Sequence, residues 1–247
     1  MPVELDKLRG QPLLQPPGAD PYAWSRATDS DVAGIRAELA KHLAGTGDEL
    51  DGWHVAFYNV VLRNAGVEDM VGSKERSMVG HYLDGVRASA DQRGLLEAVY
   101  ITRGLGMDAE LNADEAENIR RDLAESRNTR APYGIGKTVF QLKGLGLMVD
   151  ADRDDATVLL SELDKQRGKT GSGEGRRIAQ LHLYLKALGA GQNIPPGDYA
   201  AMGRTLDESR AKGEWTEVGE LLLSLSTLLP KEAPEPAAMP PRRRFVG

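Results

Sequence analysis

Residues 113–147 read ADEAENIRRDLAESRNTRAPYGIGKTVFQLKGLGL, and residues 73–107 carry the same pattern as SKERSMVGHYLDGVRASADQRGLLEAVYITRGLGM. Each copy has a pair of apolar residues four positions apart, followed by a second apolar stripe that ends at a glycine. Apolar residues spaced by three and four lie on one face of an α-helix. Internal repetition at a period of about forty residues is typical of stacked helical hairpins.

The pattern recurs five times along the chain. The first helix of each unit has a leucine anchor, and these anchors are Leu39, Leu83, Leu123, Leu163 and Leu206. The second helix ends at a glycine in the first four units, namely Gly66, Gly106, Gly146 and Gly189. The fifth unit ends at Leu229-Pro230 instead. Glycine directly after a periodic run favours a left-handed helix C-cap, and proline favours a stop.

The predicted fold is all-α: a right-handed α-solenoid of about five antiparallel helix pairs that spans residues 31–229. One unit buries too few apolar side chains to offset the entropy lost on ordering its chain, so the units are expected to share one core. A globular helical bundle grown by duplication is the structural alternative. The period is similar to that of HEAT and armadillo repeats, but their diagnostic residues are missing, so the sequence indicates no family.

The two ends of the chain differ from the repeats. Residues 1–30 are rich in proline and include Tyr22 and Trp24, a pattern typical of an extended arm with apolar anchors. Residues 230–247 form a proline-rich segment with a basic, apolar end. We therefore expect residues of both ends to bind a partner, and the candidates are Trp24, Tyr22, Arg242, Arg243, Arg244 and Phe245.

The composition narrows the function classes. The formal net charge of −6 disfavours a general nucleic-acid binder or a protein that binds anionic membranes. The chain has no cysteine, which excludes disulfides and thiolate chemistry. Neither a signal peptide nor a run of about 20 apolar residues is visible, so the predicted location is the cytoplasm, without membrane insertion.

An arginine follows the leucine anchor by four residues in four of the five units: Arg87, Arg127, Arg167 and Arg210. One interpretation is a basic ridge that binds phosphates or acidic peptides. The favoured interpretation is ion pairing with acids of the same or the next hairpin, because equivalent positions in stacked repeats face equivalent neighbours. The candidate acids are Asp84, Asp164, Asp207 and Glu208.

Three further patterns suggest sites but favour structural roles. Residues 131–138 read APYGIGKT, which satisfies a permissive phosphate-loop pattern, yet no strand precedes them and the repeat places them on the core stripe of a helix. Asp150, Asp152 and Asp154 have the opening spacing of a calcium loop but lack its glycine. His182 falls at a core-edge position. The sequence therefore predicts no catalytic residue, no metal ligand and no cofactor.

Trp53 and Trp215 both stand in the first turn of a second helix, in the first and the last unit. An open array exposes a core face at each end, so a lid over that face is the expected role of these tryptophans. A binding hot spot is the alternative.

The predicted function is that of a non-catalytic scaffold or accessory subunit. It would bind another protein, within a multi-subunit assembly, through its helical-repeat surface and its terminal arms. One alternative is a polyanion or nucleic-acid binder that uses the repeated arginines and the basic C-terminal tail. The other is an all-α enzyme or nucleotide-dependent component that uses Lys137.

Overall fold

The computed structural model describes residues 23–45, 49–67, 71–89, 91–150, 153–169, 171, 173–191 and 193–229. Regular structure in these ranges is entirely helical, which confirms the all-α prediction. A 3-10 turn at Ala23–Ser25 precedes the α-helices. These are α1 (Asp29–Leu43), α2 (Glu49–Asn64), α3 (Ser73–Ser89), α4 (Gln92–Gly104), α5 (Ala113–Asn128), α6 (Pro132–Gly144), α7 (Arg153–Arg167), α8 (Glu174–Ala187), α9 (Pro196–Lys212) and α10 (Trp215–Leu228).

Consecutive helices pack in pairs, α1 with α2 through to α9 with α10. The even-numbered helices, called here the inner helices, also contact one another in chain order. The last inner helix, α10, then packs against both α2 and α1. The first and last pairs therefore meet, and the described helices close into a ring.

Close contacts at this junction replace the exposed ends that an open solenoid would have. The Tyr58 hydroxyl lies 2.7 Å from the Thr216 hydroxyl, across α2 and α10. A methyl group on Gly34 of α1 would overlap the indole of Trp215. Trp215 is therefore not a lid over an open end; it packs between the last pair and the first, because the ring leaves no end to cover.

The repeat anchors occupy the predicted positions in the core. All five leucine anchors are buried, and so are the apolar stripes of the inner helices that face them. The glycines that end the first four units adopt positive φ angles, between 74° and 82°, which confirms the predicted left-handed caps. The positions that such caps require are Gly66, Gly106, Gly146 and Gly189.

The repeated arginines form ion pairs with the next hairpin, as the favoured interpretation expects. Each one reaches the acid at the third residue of the following odd-numbered helix, and the last one returns to α1. The pairs and their shortest N–O distances are Arg87–Glu115 (3.2 Å), Arg127–Asp155 (2.7 Å), Arg167–Asp198 (2.7 Å) and Arg210–Asp31 (2.7 Å). Two candidate acids from the sequence, Asp164 and Asp207, add pairs within their own helices.

Two of these acids also belong to capping boxes. Asp31 and Glu115 accept from the backbone N–H groups of Thr28 and Asn112, whose side chains in turn accept from the backbone of the acids. One carboxylate thus caps its own helix and anchors the preceding hairpin.

α1 begins at Asp29 and α10 ends at Leu228, while most of the predicted arm and all of the predicted tail lie outside the described residues. None of the described helices is both long and apolar enough to cross a membrane.

Candidate functional site: the central cavity

The inner helices surround a cavity of about 710 Å³, and each of the five contributes side chains to its wall. The cavity exists because the ring closes: the last inner helix completes a wall that an open array would leave missing. We call it the central cavity.

The inner helices run in the same direction around this cavity. A basic side chain near the end of one helix donates to a carbonyl at the end of the next. The donors and acceptors are Arg63 to Gly104, Arg103 to Leu145, Lys143 to Ala187 and Lys186 to Thr227. Because these bonds join equivalent ends, all the C-termini lie at one opening of the ring, called here the C-terminal mouth.

One layer of the cavity wall is apolar. It receives one side chain from each inner helix at equivalent repeat positions, namely Val60, Tyr100, Phe140, Leu183 and Leu223. The rings of Tyr100 and Phe140 have centroids 5.5 Å apart, and Tyr184 lies 6.2 Å from Phe140. Aromatic side chains in tilted contact offer large, rigid apolar surfaces to a ligand.

A second layer lies about one helical turn further from the C-terminal mouth, and four of its five side chains are polar. This polar layer consists of Phe57, Glu97, Lys137, Gln180 and Glu220. The Lys137 ammonium donates to Glu97 at 2.8 Å. Arg176 donates to Glu220 at 2.8 Å and also lies 3.4 Å from Glu217. One guanidinium therefore serves two carboxylates.

Burial shifts the titration of groups around this layer. Desolvation raises the pKa of Glu220, and the neighbouring carboxylates Glu217 and Glu97 raise it further, whereas Arg176 opposes the shift. Desolvation also raises the pKa of the Tyr184 hydroxyl, to which Glu220 and Glu97 add. Ionisable groups in a cavity with such perturbed pKa values are typical of functional sites.

Gln141 lines the cavity with its side chain. The residue is 5% exposed, and its side-chain amide forms no hydrogen bond with the residues that the structure describes. Gln180 in the polar layer likewise has no hydrogen-bond partner among those residues. Both side chains therefore present an amide group that a ligand or water in the cavity can contact.

The phosphate-loop pattern forms no loop. Pro132 begins α6, and residues 134–138 lie inside this helix, with Ile135 buried as the repeat predicted. A methyl group on Gly136 would overlap the ring of Tyr184, so this glycine allows α6 and α8 to approach closely. Its role is helix packing rather than the cradling of a phosphate.

The partner-binding candidates are only partly described. Trp24 is half-buried, and its ring lies 3.7 Å from the position of a methyl group on Gly203 in α9. Its backbone carbonyl accepts from Arg210 at 3.5 Å. Residues 24–26 therefore dock on α9, in the last pair of this chain. The other candidates, Tyr22, Arg242, Arg243, Arg244 and Phe245, lie outside the described residues.

Two further predictions concern Trp53 and His182. Trp53 lines the central cavity and stacks on Phe57, with ring centroids 5.1 Å apart.

His182 is buried as expected, and its Nε2 lies 2.6 Å from Asp198. Hydrogen bonds from Arg167 and His182 hold the pKa of Asp198 below its usual value, although burial of the carboxyl opposes this.

No group of three or more potential metal ligands lies together within the described ranges. The calcium-loop pattern is only partly described, because Asp152 lies outside these ranges.

The polar layer was not predicted from the sequence. A signal was present, because one repeat position holds Phe57, Glu97, Lys137, Gln180 and Glu220 in successive units while nearby positions stay apolar. A charged or amide side chain at four of five equivalent positions indicates that these positions lie outside the apolar core and face a common polar space.

Comparisons with known proteins add no relative. No protein-family model matches the chain, no curated protein matches it, and no solved structure matches it.

Proposed function

We propose that the protein binds a small organic molecule in its central cavity. The observation that carries this proposal is a cavity walled by all five inner helices, with an apolar layer beside a polar one. Its volume of about 710 Å³ lies within the range of roughly 300–1,000 Å³ typical of small-molecule sites. A few polar groups in a mainly apolar wall orient a ligand and select its chemistry.

The outer surface supports this choice of site. Within the described residues, Met148 is the large apolar side chain that stands in solvent, 87% exposed. Contiguous apolar patches mark protein interfaces. A single exposed methionine forms no such patch, so the described surface favours recognition inside the ring over recognition on its outside.

A dye titration with a matched pair of variants tests this function. N-phenylnaphthylamine is uncharged and fluoresces more strongly in apolar sites. We expect saturable 1:1 binding to the whole chain, and its loss in Leu223→Trp, which fills the apolar layer. Met148→Trp adds the same indole on the exposed surface and should bind like the parent. The proposal fails if the parent shows no saturable binding, or if a folded Leu223→Trp protein binds equally well.

A scaffold or accessory subunit that binds another protein in the cytoplasm is the second candidate. The anchor-bearing ends of the sequence, around Tyr22 and Arg242 to Phe245, support it. This proposal includes the right-handed arrangement of successive helix pairs that the sequence predicts. The test is affinity purification with and without residues 230–247, and a partner that is retained without them contradicts a role for the tail.

The remaining alternatives receive less support from the side chains. Arg87, Arg127, Arg167 and Arg210 are each bonded to an acid of another hairpin, which leaves them poorly suited to a polyanion. Lys137 is paired with Glu97 inside the ring, which does not favour a nucleotide-dependent component.

A further inference from the structure

Building on the proposed ligand-binding role, we infer that the ligand is an organic amine. Its protonated nitrogen binds at Glu220 in the polar layer, and its apolar body extends through the apolar layer towards the C-terminal mouth.

The charge balance around Glu220 carries the first step. Among the described residues, the carboxylates of Glu97, Glu217 and Glu220 form ion pairs with two cations, Lys137 and Arg176. Lys137 is taken by Glu97, so Arg176 is shared between Glu217 and Glu220. The Glu220 side chain keeps 26% of its surface exposed and lines the cavity, so a bound cation can contact it directly. An ammonium group there neutralises the excess negative charge of Glu217 and Glu220 in a partly desolvated site, where such pairing is stronger than in water.

The uncharged groups of the wall also suit an amine. Gln180, in the same layer as Glu220, has an amide oxygen that can accept from an N–H group. The aromatic faces of Tyr100, Phe140 and Tyr184 attract cations as well as apolar groups. An amine thus finds a carboxylate, an amide oxygen and aromatic faces in the same cavity wall.

The orientation follows from the basic residues at the C-terminal mouth. Arg63 and Arg103 line the cavity there, six residues beyond the polar layer along their helices. At 1.5 Å per residue this separation is about 9 Å. Like charge repels an ammonium group from the mouth, so the nitrogen lies inward. The distance accommodates an apolar body of roughly six carbon atoms.

Three probes of equal length and different charge test this inference. Hexylammonium, 1-hexanol and hexanoate are titrated into the whole chain by calorimetry. We expect hexylammonium to bind about tenfold more tightly than hexanol, and hexanoate to bind more weakly than either. Equal or tighter binding of hexanol or hexanoate overturns the inference. That result leaves the proposed function intact if N-phenylnaphthylamine still binds. If neither the three probes nor the dye bind, both the inference and the proposed function are overturned.

Variants at Glu220 locate the amine. Glu220→Gln should lose about tenfold in hexylammonium affinity and leave hexanol affinity unchanged. Glu220→Asp keeps the charge and should retain the preference for the amine, so it carries the test if Glu220→Gln does not fold. Glu117→Gln removes an exposed carboxylate of α5 and should behave as the parent. Undiminished amine binding in folded Glu220→Gln, or loss of the preference in folded Glu220→Asp, contradicts the assignment.

Discussion

Arg210, in the last odd-numbered helix, donates two hydrogen bonds to Asp31 in the first, with N–O distances of 2.9 and 2.7 Å. The two residues are 179 positions apart in the chain. The same contact joins consecutive hairpins elsewhere in the ring, so Arg210–Asp31 is the repeat contact that connects the last hairpin to the first. It shows that ring closure uses the interaction that also joins neighbouring units.

Replacing Arg210 should destabilise the protein strongly. Asp31 is 1% exposed, so Arg210→Met leaves a buried carboxylate without its cation and should lower the free energy of unfolding by roughly 3 kcal/mol. Arg87→Met is the matched control, because the Arg87–Glu115 pair is more exposed and should contribute at most about 1 kcal/mol. Urea denaturation of both variants measures the difference. Equal decreases in the free energy of unfolding would show that the Arg210–Asp31 pair contributes no more stability than the exposed Arg87–Glu115 pair.

Acid should weaken the protein through Asp198. Its pKa is lowered in the folded state by Arg167 and His182, against the desolvation of the carboxyl. A carboxyl whose pKa is lower in the folded state than in the unfolded state stabilises the protein at pH values above its unfolded pKa, near 3.8. This stabilisation is lost as the pH falls through the folded pKa. Asp198→Asn should therefore flatten the pH dependence of unfolding below about pH 4. Asp164→Asn, at an exposed pair with the same arginine, should keep the parent profile in urea denaturation.

Two glycines within helices should respond in opposite ways to alanine. A methyl group on Gly136 overlaps the ring of Tyr184, so Gly136→Ala should force α6 and α8 apart and destabilise by about 1–3 kcal/mol. Nothing lies near a methyl group on Gly80 in α3, so Gly80→Ala should stabilise by about 0.5–1 kcal/mol. Thermal unfolding followed by circular dichroism distinguishes the two. A stabilising Gly136→Ala would contradict the close packing of the inner helices.

Glu220 should reduce stability at neutral pH. Burial raises the pKa of Glu220 in the folded state. Its contribution to the free energy of unfolding is therefore fully present below the unfolded pKa of 4.5 and is lost as the pH rises through the folded pKa. Glu220→Gln should therefore unfold at higher urea than the parent at pH 7, with Arg176 still beside Glu217. At pH 4 the advantage should disappear. A variant that is less stable at pH 7 would mean that the Arg176 pair outweighs the desolvation of Glu220.

The helices and their packing faces followed from the sequence because they depend on local periodicity. The anchor Leu123 and the cap Gly146 occupy the predicted environments, since a helix face and a positive φ angle are set within a few residues. The partners of the arginines were only half predicted. Asp164 could be found from its spacing of three residues, but Asp155 lies 28 residues beyond Arg127 and required the packing of two hairpins.

The sequence by itself determined five helical units, their core stripes and their caps. Tertiary structure alone decided that the units close into a ring, because closure depends on the small rotation between successive pairs, which no local pattern encodes. That rotation brings α10 against α2 and makes a cavity from the side chains of five helices that are about forty residues apart in the sequence. Glu97 and Lys137 pair between the neighbouring helices α4 and α6, and closure of the ring completes the cavity wall that they share with Glu220 of α10.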